Sequence, residues 1–213
     1  MEKQVVPSRK AIWIAVSVAV WIILLFAAAC AMIRGNFCLV YSENPQGKGL
    51  AVSGYRLSSD KLTVPETYKG KPVECVLKKS FAGAPMKEVK LTSVTEIEAS
   101  AFQECGNLVT LDLGQVQTLG TRAFAACGNL DKVVIPGSVR QIGDEAFYQC
   151  QFLTHVYFLG EPEVMGNRVF GHNQTVRIYG HGGGQLQAYC EEYGLEFYVI
   201  TEEMIEAIAG NEG

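Results

Sequence analysis

Five phenylalanines, Phe81, Phe102, Phe124, Phe147 and Phe170, recur at intervals of 21, 22, 23 and 23 residues, and their surroundings recur in step. Ala101, Ala123 and Ala146 stand immediately before a Phe, Cys105, Cys127 and Cys150 three after it, and Leu108, Leu130 and Leu153 six after it. Counting backwards, Ile97, Leu119, Ile142 and Met165 stand five before a Phe, and Val94, Val116 and Val139 eight before. A period of roughly 20–29 residues with fixed apolar positions makes each unit a short coil that cannot bury its own apolar face and must stack on its neighbours. The chain is therefore expected to be a solenoid.

Within one unit, Leu108, Leu111 and Leu113 fit the spacing L-x-x-L-x-L, so Leu111 and Leu113 point to one side of a strand while Thr110 and Asp112 point to the other. The same alternation recurs at 86–91, 130–135, 153–158 and 176–178. Stacked, these strands form a parallel sheet with one row of side chains inside and one outside. The outer row comprises Glu88 and Lys90, Thr110 and Asp112, Lys132 and Val134, His155 and Tyr157, Arg177 and Tyr179. A second short extended piece carries Ile97, Leu119 or Ile142, followed by turn or helical residues that drive the Phe inward. Gly120, Gly143 and Gly166 fall at the sharp corner between them, where a left-handed or otherwise strained backbone is easiest without a Cβ. Glu98 breaks that column.

Residues 133–153, Val-Val-Ile-Pro-Gly-Ser-Val-Arg-Gln-Ile-Gly-Asp-Glu-Ala-Phe-Tyr-Gln-Cys-Gln-Phe-Leu, resemble the BspA-type leucine-rich repeat, a family found mostly in bacterial surface and secreted proteins. Residues 61–73 are similar to its opening repeat, and 176–180 with 185–200 to its terminal cap. The resemblance spans 37–200 and is most specific over 81–158. It implies an α/β leucine-rich repeat solenoid with parallel strands and a role in binding or surface display. It implies no catalytic residues.

A stack of coils leaves an apolar disc at each end, which a cap must cover. Residues 37–41 and 50–55, separated by a stretch with Asn44, Pro45, Gly47 and Gly49, read as an N-terminal β-hairpin cap. At the other end Leu186, Tyr189, Cys190 and Tyr193 follow the spacing of a buried helix face, and Gly194 stands just past its end. Residues 195–200 return as a strand, completing a helix–strand cap. The organisation expected is a juxtamembrane segment and cap over 34–60, repeats over 61–180, a C-terminal cap over 181–200 and a short, fraying acidic tail over 201–213.

Upstream, residues 11–33 contain Ser17 as their only polar member. At about 1.5 Å per residue the segment reaches about 34 Å, enough to cross a hydrocarbon core of about 30 Å as one transmembrane helix. Lys3, Arg9 and Lys10 precede it and only Arg34 follows directly, so the positive-inside bias places 1–10 in the cytoplasm and the repeats outside. Three fates are open: an uncleaved signal-anchor, a cleaved signal peptide, or a lipoprotein signal. The length favours the anchor, because the apolar region of a cleaved signal is about 7–15 residues. Ala27, Ala28, Ala29 and Cys30 nonetheless resemble both a small-residue cleavage site and a degenerate lipobox. All three deliver the same domain to the outside of the cell membrane.

The whole chain carries 18 Lys and Arg against 22 Asp and Glu, a net charge of −4. Such a balance argues against a nucleic-acid partner and against general adhesion to anionic lipid. The Cys105, Cys127 and Cys150 column is internal, where free Cys behaves as a small buried hydrophobe, and parallel Cβ vectors disfavour bridging between coils. Cys38 and Cys75 are candidates for a disulfide within the N-terminal cap. There is no C-x-x-C or paired Cys/His spacing for zinc, and nothing suggests a cofactor. His181 with Gly182, Gly183 and Gly184 superficially resembles a lipase oxyanion loop, but there is no G-x-S-x-G elbow, so the stretch reads as a glycine turn into the cap helix. Asn173-Gln-Thr175 fits a glycosylation acceptor, without meaning in a bacterial setting.

What remains is the outer strand row. Thr110, Asp112, Lys132, Val134, His155, Tyr157, Arg177 and Tyr179 combine aromatic and charged side chains on a rigid sheet, the composition that interfaces favour. The reading is a non-catalytic, membrane-anchored module that binds a protein or glycan ligand. Its rival is a structural spacer or assembly element of the cell envelope.

Overall fold

The computed structural model describes residues 39–47, 49–56, 59–171, 173 and 175–210. The expected membrane segment over 11–33, with Cys30, lies outside the described residues. Among those described, no helix is long and apolar enough to cross a membrane.

The strands β1 (Leu39–Glu43) and β2 (Leu50–Tyr55) pair antiparallel as a hairpin. β1 runs two residues beyond the expected end because Ser42 and Glu43 pair with Ala51 and Leu50 before Asn44 turns the chain, its Oδ1 accepting from the Gln46 N–H at 3.0 Å. Next come β3 (Lys61–Val64), and β4 (Thr67–Tyr68), which turns antiparallel onto β5 (Lys71–Val76). From there each coil contributes one longer and one two-residue strand. These are β6 (Glu88–Leu91) and β7 (Glu96–Ile97), β8 (Thr110–Asp112) and β9 (Thr118–Leu119), β10 (Lys132–Ile135) and β11 (Gln141–Ile142), then β12 (His155–Phe158) and β13 (Val164–Met165). β14 (Arg177–Gly180), helix α1 (Gln185–Tyr193), β15 (Glu196–Val199) and helix α2 (Glu202–Gly210) complete the chain.

Successive coils stack in parallel register. The two-residue strands continue the hairpin and β5 in one ladder, in the order β1-β2-β5-β7-β9-β11-β13, and the remaining longer strands form two sheets, β3-β6-β8 and β10-β12-β14-β15. The residues that carry each Phe inward are turns. Among the described residues helix is confined to α1 and α2, so the repeats are a β-solenoid rather than the expected α/β array. The reason is backbone geometry. The residue two before each Phe (Lys79, Ser100, Arg122, Glu145, Arg168) and the one two after (Gly83, Glu104, Ala126, Gln149) have φ between +48° and +70°. An α-helix of L residues cannot continue through left-handed positions.

Inside the stack, the rings of Phe81, Phe102, Phe124, Phe147 and Phe170 lie nearly parallel, with centroids 5.1, 5.1, 5.5 and 6.0 Å apart, and Tyr55 of the hairpin extends the column at 5.7 Å from Phe81. All five Phe are at most 1% exposed. Each contributes about 1.5–3 kcal/mol by leaving water. The backbone N–H of Phe81, Phe102, Phe124 and Phe147 donates to a carbonyl of the following coil at 2.8 Å, so the ring column and a hydrogen-bond ladder are one device. After the last coil Tyr189 of α1 takes over: its phenol oxygen accepts from the Val169 N–H at 2.8 Å, and burial pushes that phenol up.

Three expectations about side chains are sharpened or corrected. Gly120, Gly143 and Gly166 are not left-handed. They are glycines because the coils approach too closely: a Cβ would sit 2.6 Å from the Ala99 nitrogen, 2.5 Å from the Thr121 nitrogen and 2.4 Å from the Asp144 nitrogen respectively. Glu98 departs from the column at its first member, where its carboxylate turns back to accept from the Lys78 N–H at 2.7 Å. Second, Cys105, Cys127 and Cys150 are buried free thiols whose Sγ atoms lie 3.1, 3.3 and 3.2 Å from the carbonyls of Phe81, Phe102 and Phe124, to which they donate. Third, most of the expected tail is helical. Residues 202–210 form α2, started by Thr201, whose Oγ1 accepts from the Met204 N–H at 3.4 Å and whose carbonyl accepts from the Ile205 N–H at 3.1 Å. Glu202 and Glu203 in the first turn suit the helix dipole.

Candidate functional site: the outer strand face

Thr110, Asp112, Lys132, Val134, His155, Tyr157, Arg177 and Tyr179 all turn outward, because their neighbours Leu111, Val133, Ile135, Val156, Phe158 and Ile178 are buried. They are divided between two sheets that meet at β8 and β10. Thr110 and Asp112 belong to the β3-β6-β8 sheet and the other six to the β10-β12-β14-β15 sheet. On the first sheet, charges pair across strands: Lys61 meets Glu88 at 2.7 Å and Lys90 meets Asp112 at 3.5 Å. Exposed pairs of this kind contribute little stability, about 0.2–1 kcal/mol each, but they leave that half of the face electrically balanced.

On the second sheet, rings stack. Register places Val134 beside Tyr157, Tyr157 beside Tyr179, and Tyr179 beside Tyr198. The ring centroids are 4.7 Å apart for Tyr157 and Tyr179 and 5.2 Å for Tyr179 and Tyr198, with His155 6.0 Å from Tyr179. Burial, with Tyr179 and Asp131 alongside, pushes the Tyr157 phenol up. His155 is oriented by Thr154, whose Oγ1 lies 2.7 Å from Nδ1 and also contacts the Asp131 carboxylate. Arg177 pairs with Glu196 at 3.4 Å. The arrangement offers flat, half-exposed ring faces at the spacing of parallel strands, bordered by a guanidinium and an imidazole.

Tyr198 and Glu196 were not among the residues read from the sequence as this face. They belong to it because β15 adds in parallel to β14. The signal was present in the alternation of Glu196 and Tyr198 with Phe197, which continues the pattern of Arg177 and Tyr179 around Ile178.

Other motifs resolve into structure. The Leu186 N–H at the start of α1 donates to Glu161 Oε1 at 2.7 Å, and a Cβ at Gly184 would lie 2.4 Å from that oxygen. The His181–Gly184 stretch is thus a turn into α1 in which Gly184 makes room for the Glu161 carboxylate. The Asn173 amide nitrogen, the atom a glycan would need, donates to the Leu153 carbonyl at 2.8 Å. Cys75 is a buried free thiol pushed up to about 12, chiefly by burial, while its candidate partner Cys38 lies outside the described residues. Among the described residues no three of His, Cys, Asp and Glu converge where a metal ion could sit.

Comparison with known proteins agrees with this geometry. The model of the BspA type leucine rich repeat region matches residues 59–178 in six copies. Among solved structures, a leucine-rich repeat protein from Bacteroides capillosus is 25% identical with a TM-score of 0.52, the match covering 58% of this chain and 96% of that one. A leucine rich cell surface protein from Faecalibacterium prausnitzii is 20% identical with a TM-score of 0.51, covering 80% of this chain but 40% of that longer one. No curated protein matches the chain.

Proposed function

We propose, from the premise that this chain belongs to the BspA-type leucine-rich repeat family, that it is a non-catalytic binding module presented outside the cell membrane, engaging a protein or glycan ligand through its outer strand face. The observation that carries the reading is the ring row of Tyr157, Tyr179 and Tyr198 with His155 and Arg177 on a rigid sheet. Rigid aromatic side chains lose little entropy on binding and dominate interface energetics. The hairpin β1–β2 and the α1–β15 unit act as the caps of the array, the first extending the Phe column with Tyr55 and the second burying Leu186 and Cys190. The apolar segment 11–33 is the anchor, with 1–10 cytoplasmic and the repeats outside, as the charges of Lys3, Arg9 and Lys10 favour.

The test is a binding screen of the full chain in lipid nanodiscs against glycan, matrix-protein and envelope-protein panels. A ligand whose affinity falls about tenfold or more in Tyr157→Ala or Tyr179→Ala supports the reading. A ligand indifferent to Tyr157, Tyr179, His155 and Arg177 together removes it, and retention of envelope proteins alone favours the spacer role. Protease added to intact cells checks the orientation: the repeats should be digested and a small N-terminal fragment spared, whereas a protected C-terminus contradicts it.

A further inference from the structure

α2 follows directly on β15, the edge strand of the β10-β12-β14-β15 sheet. Yet its residue Ile208 lines a cavity of about 550 Å³ together with Lys132 and Val134 of β10 and Thr110 and Asp112 of β8. Three inter-strand steps separate β15 from β10. At about 4.8 Å each they add to about 14 Å; Ile208, six residues beyond Glu202, lies about 9 Å along the helix axis, and its side chain spans the remainder. A helix that starts beside β15 and brings its end to β10 therefore runs across the strands, over the row of Tyr198, Tyr179 and Tyr157.

The burial along the helix agrees. Met204, Ile205 and Ile208 are half-buried, while Glu202, Glu203 and Glu206 are exposed. The apolar residues fall on one side of a helix at i, i+1 and i+4, and the acidic ones face water. Tyr157 and Tyr179 are themselves half-buried, although they stand on the outer face of their strands, while Tyr198 at the edge is 42% exposed. Three half-covered side chains over a surface that retains a cavity make a shallow seat, of the kind that opens locally without unfolding the rest.

We infer that α2 is a displaceable latch on the strand face: Met204, Ile205 and Ile208 hold it across the aromatic row, and a ligand reaching that row must first release it. What is displaced by ligand rests on the strand-face reading, but the latch itself is a property of the ligand-free chain. The sign of its effect follows from linkage, since a ligand that binds only the open state has its apparent affinity reduced by the fraction of chains that are open.

The test uses the full chain without ligand. A benzophenone side chain introduced at position 208 should crosslink within the molecule to peptides carrying 110–112 or 132–134; a link elsewhere, or only between molecules, overturns the inference. In parallel, nitration by tetranitromethane is mapped at Tyr157 and Tyr179 in wild type and in Met204→Glu/Ile208→Glu, with the buried Tyr189 reporting on folding. Release should raise modification of the two row tyrosines at least about threefold while Tyr189 stays protected. Should Tyr189 become modified as well, a chain ending at Thr201 replaces the double variant in the same comparison. Unchanged nitration with Tyr189 protected overturns the latch and leaves the strand-face reading standing. A ligand indifferent to Tyr157, Tyr179, His155 and Arg177 together removes that reading and leaves the crosslink as it was.

Discussion

Two columns of stacked rings run along this array, and they differ in almost everything but their spacing. The inner column, from Tyr55 through Phe170, is closed off from water and tied coil by coil to a backbone hydrogen-bond ladder. The outer row of Tyr157, Tyr179 and Tyr198, with His155, sits on the opposite side of the β10-β12-β14-β15 strands, half-covered and bordered by charge. The same coil repeat generates both. What separates them is the direction of the side chain from the strand or turn, and hence whether a ring's removal leaves a cavity or only a gap on the surface. A repeat architecture can thus hold its fold with one column and leave the other free to vary.

Several measurements can break or sharpen that contrast. The largest effect is expected inside. Phe124→Ala should cost about 3–5 kcal/mol, and because each coil is held by its neighbours the loss should appear as one cooperative shift of the whole melting curve. A small or localised change would mean that the column does not hold the array together. Gly143→Ala should follow at about 1–3 kcal/mol, since its Cβ would meet the Thr121 backbone at 2.5 Å and the coils would have to part. Glu145→Gln should cost about 1–2 kcal/mol: the carboxylate is 9% exposed and bridges Arg122 and Arg168 from the neighbouring coils.

The inner column was the most legible part of the sequence, and the limits of that legibility have physical causes. Phe, Cys and Leu recur because a buried position in one coil is buried in all, so Phe124 or Cys127 announces its place through Phe102 and Cys105. The outer row is bound by no such requirement, and its ring stack was only partly visible, Tyr198 entering through a strand whose partner lies nineteen residues away at Tyr179. Gly120 and Gly143 were found but given the wrong reason, because close approach between coils leaves no mark in local sequence while a left-handed turn is the commoner use of glycine. The left-handed residues two before and two after each Phe, such as Arg122 and Gln149, are non-glycine at every described position except Gly83. α2 was missed because three apolar residues among acidic ones read as a tail until a surface is there to receive them.

A gentler test of the inner column uses its thiols. Burial pushes Cys150 and Cys190 up to about 12 from an ordinary 9.0, as it does Cys75. With the folded values raised, the unfolded chain loses its thiol protons first. Stability from this source is therefore complete below about pH 9 and declines as pH rises from about 9 towards 12. Melting followed between neutral pH and pH 10 should show that decline, and Cys150→Ala should reduce it, leaving the share of Cys75 and Cys190. Thiol counting at pH 8 should find Cys105, Cys127 and Cys150 unreactive in the native chain and reactive once it is unfolded.

The smallest effect is expected outside, and it is the most direct test of the division between the two columns. Urea unfolding of the full chain is compared for wild type, Phe124→Ala and the double variant Tyr157→Ala/Tyr179→Ala. The double variant should keep a single transition and lose no more than about 1–2 kcal/mol, the worth of partly exposed ring stacking, against about 3–5 for Phe124→Ala alone. If removing the two outer rings costs as much as removing the one inner ring, the outer row is part of what holds the array together, and its claim to be a surface kept free for a ligand is contradicted.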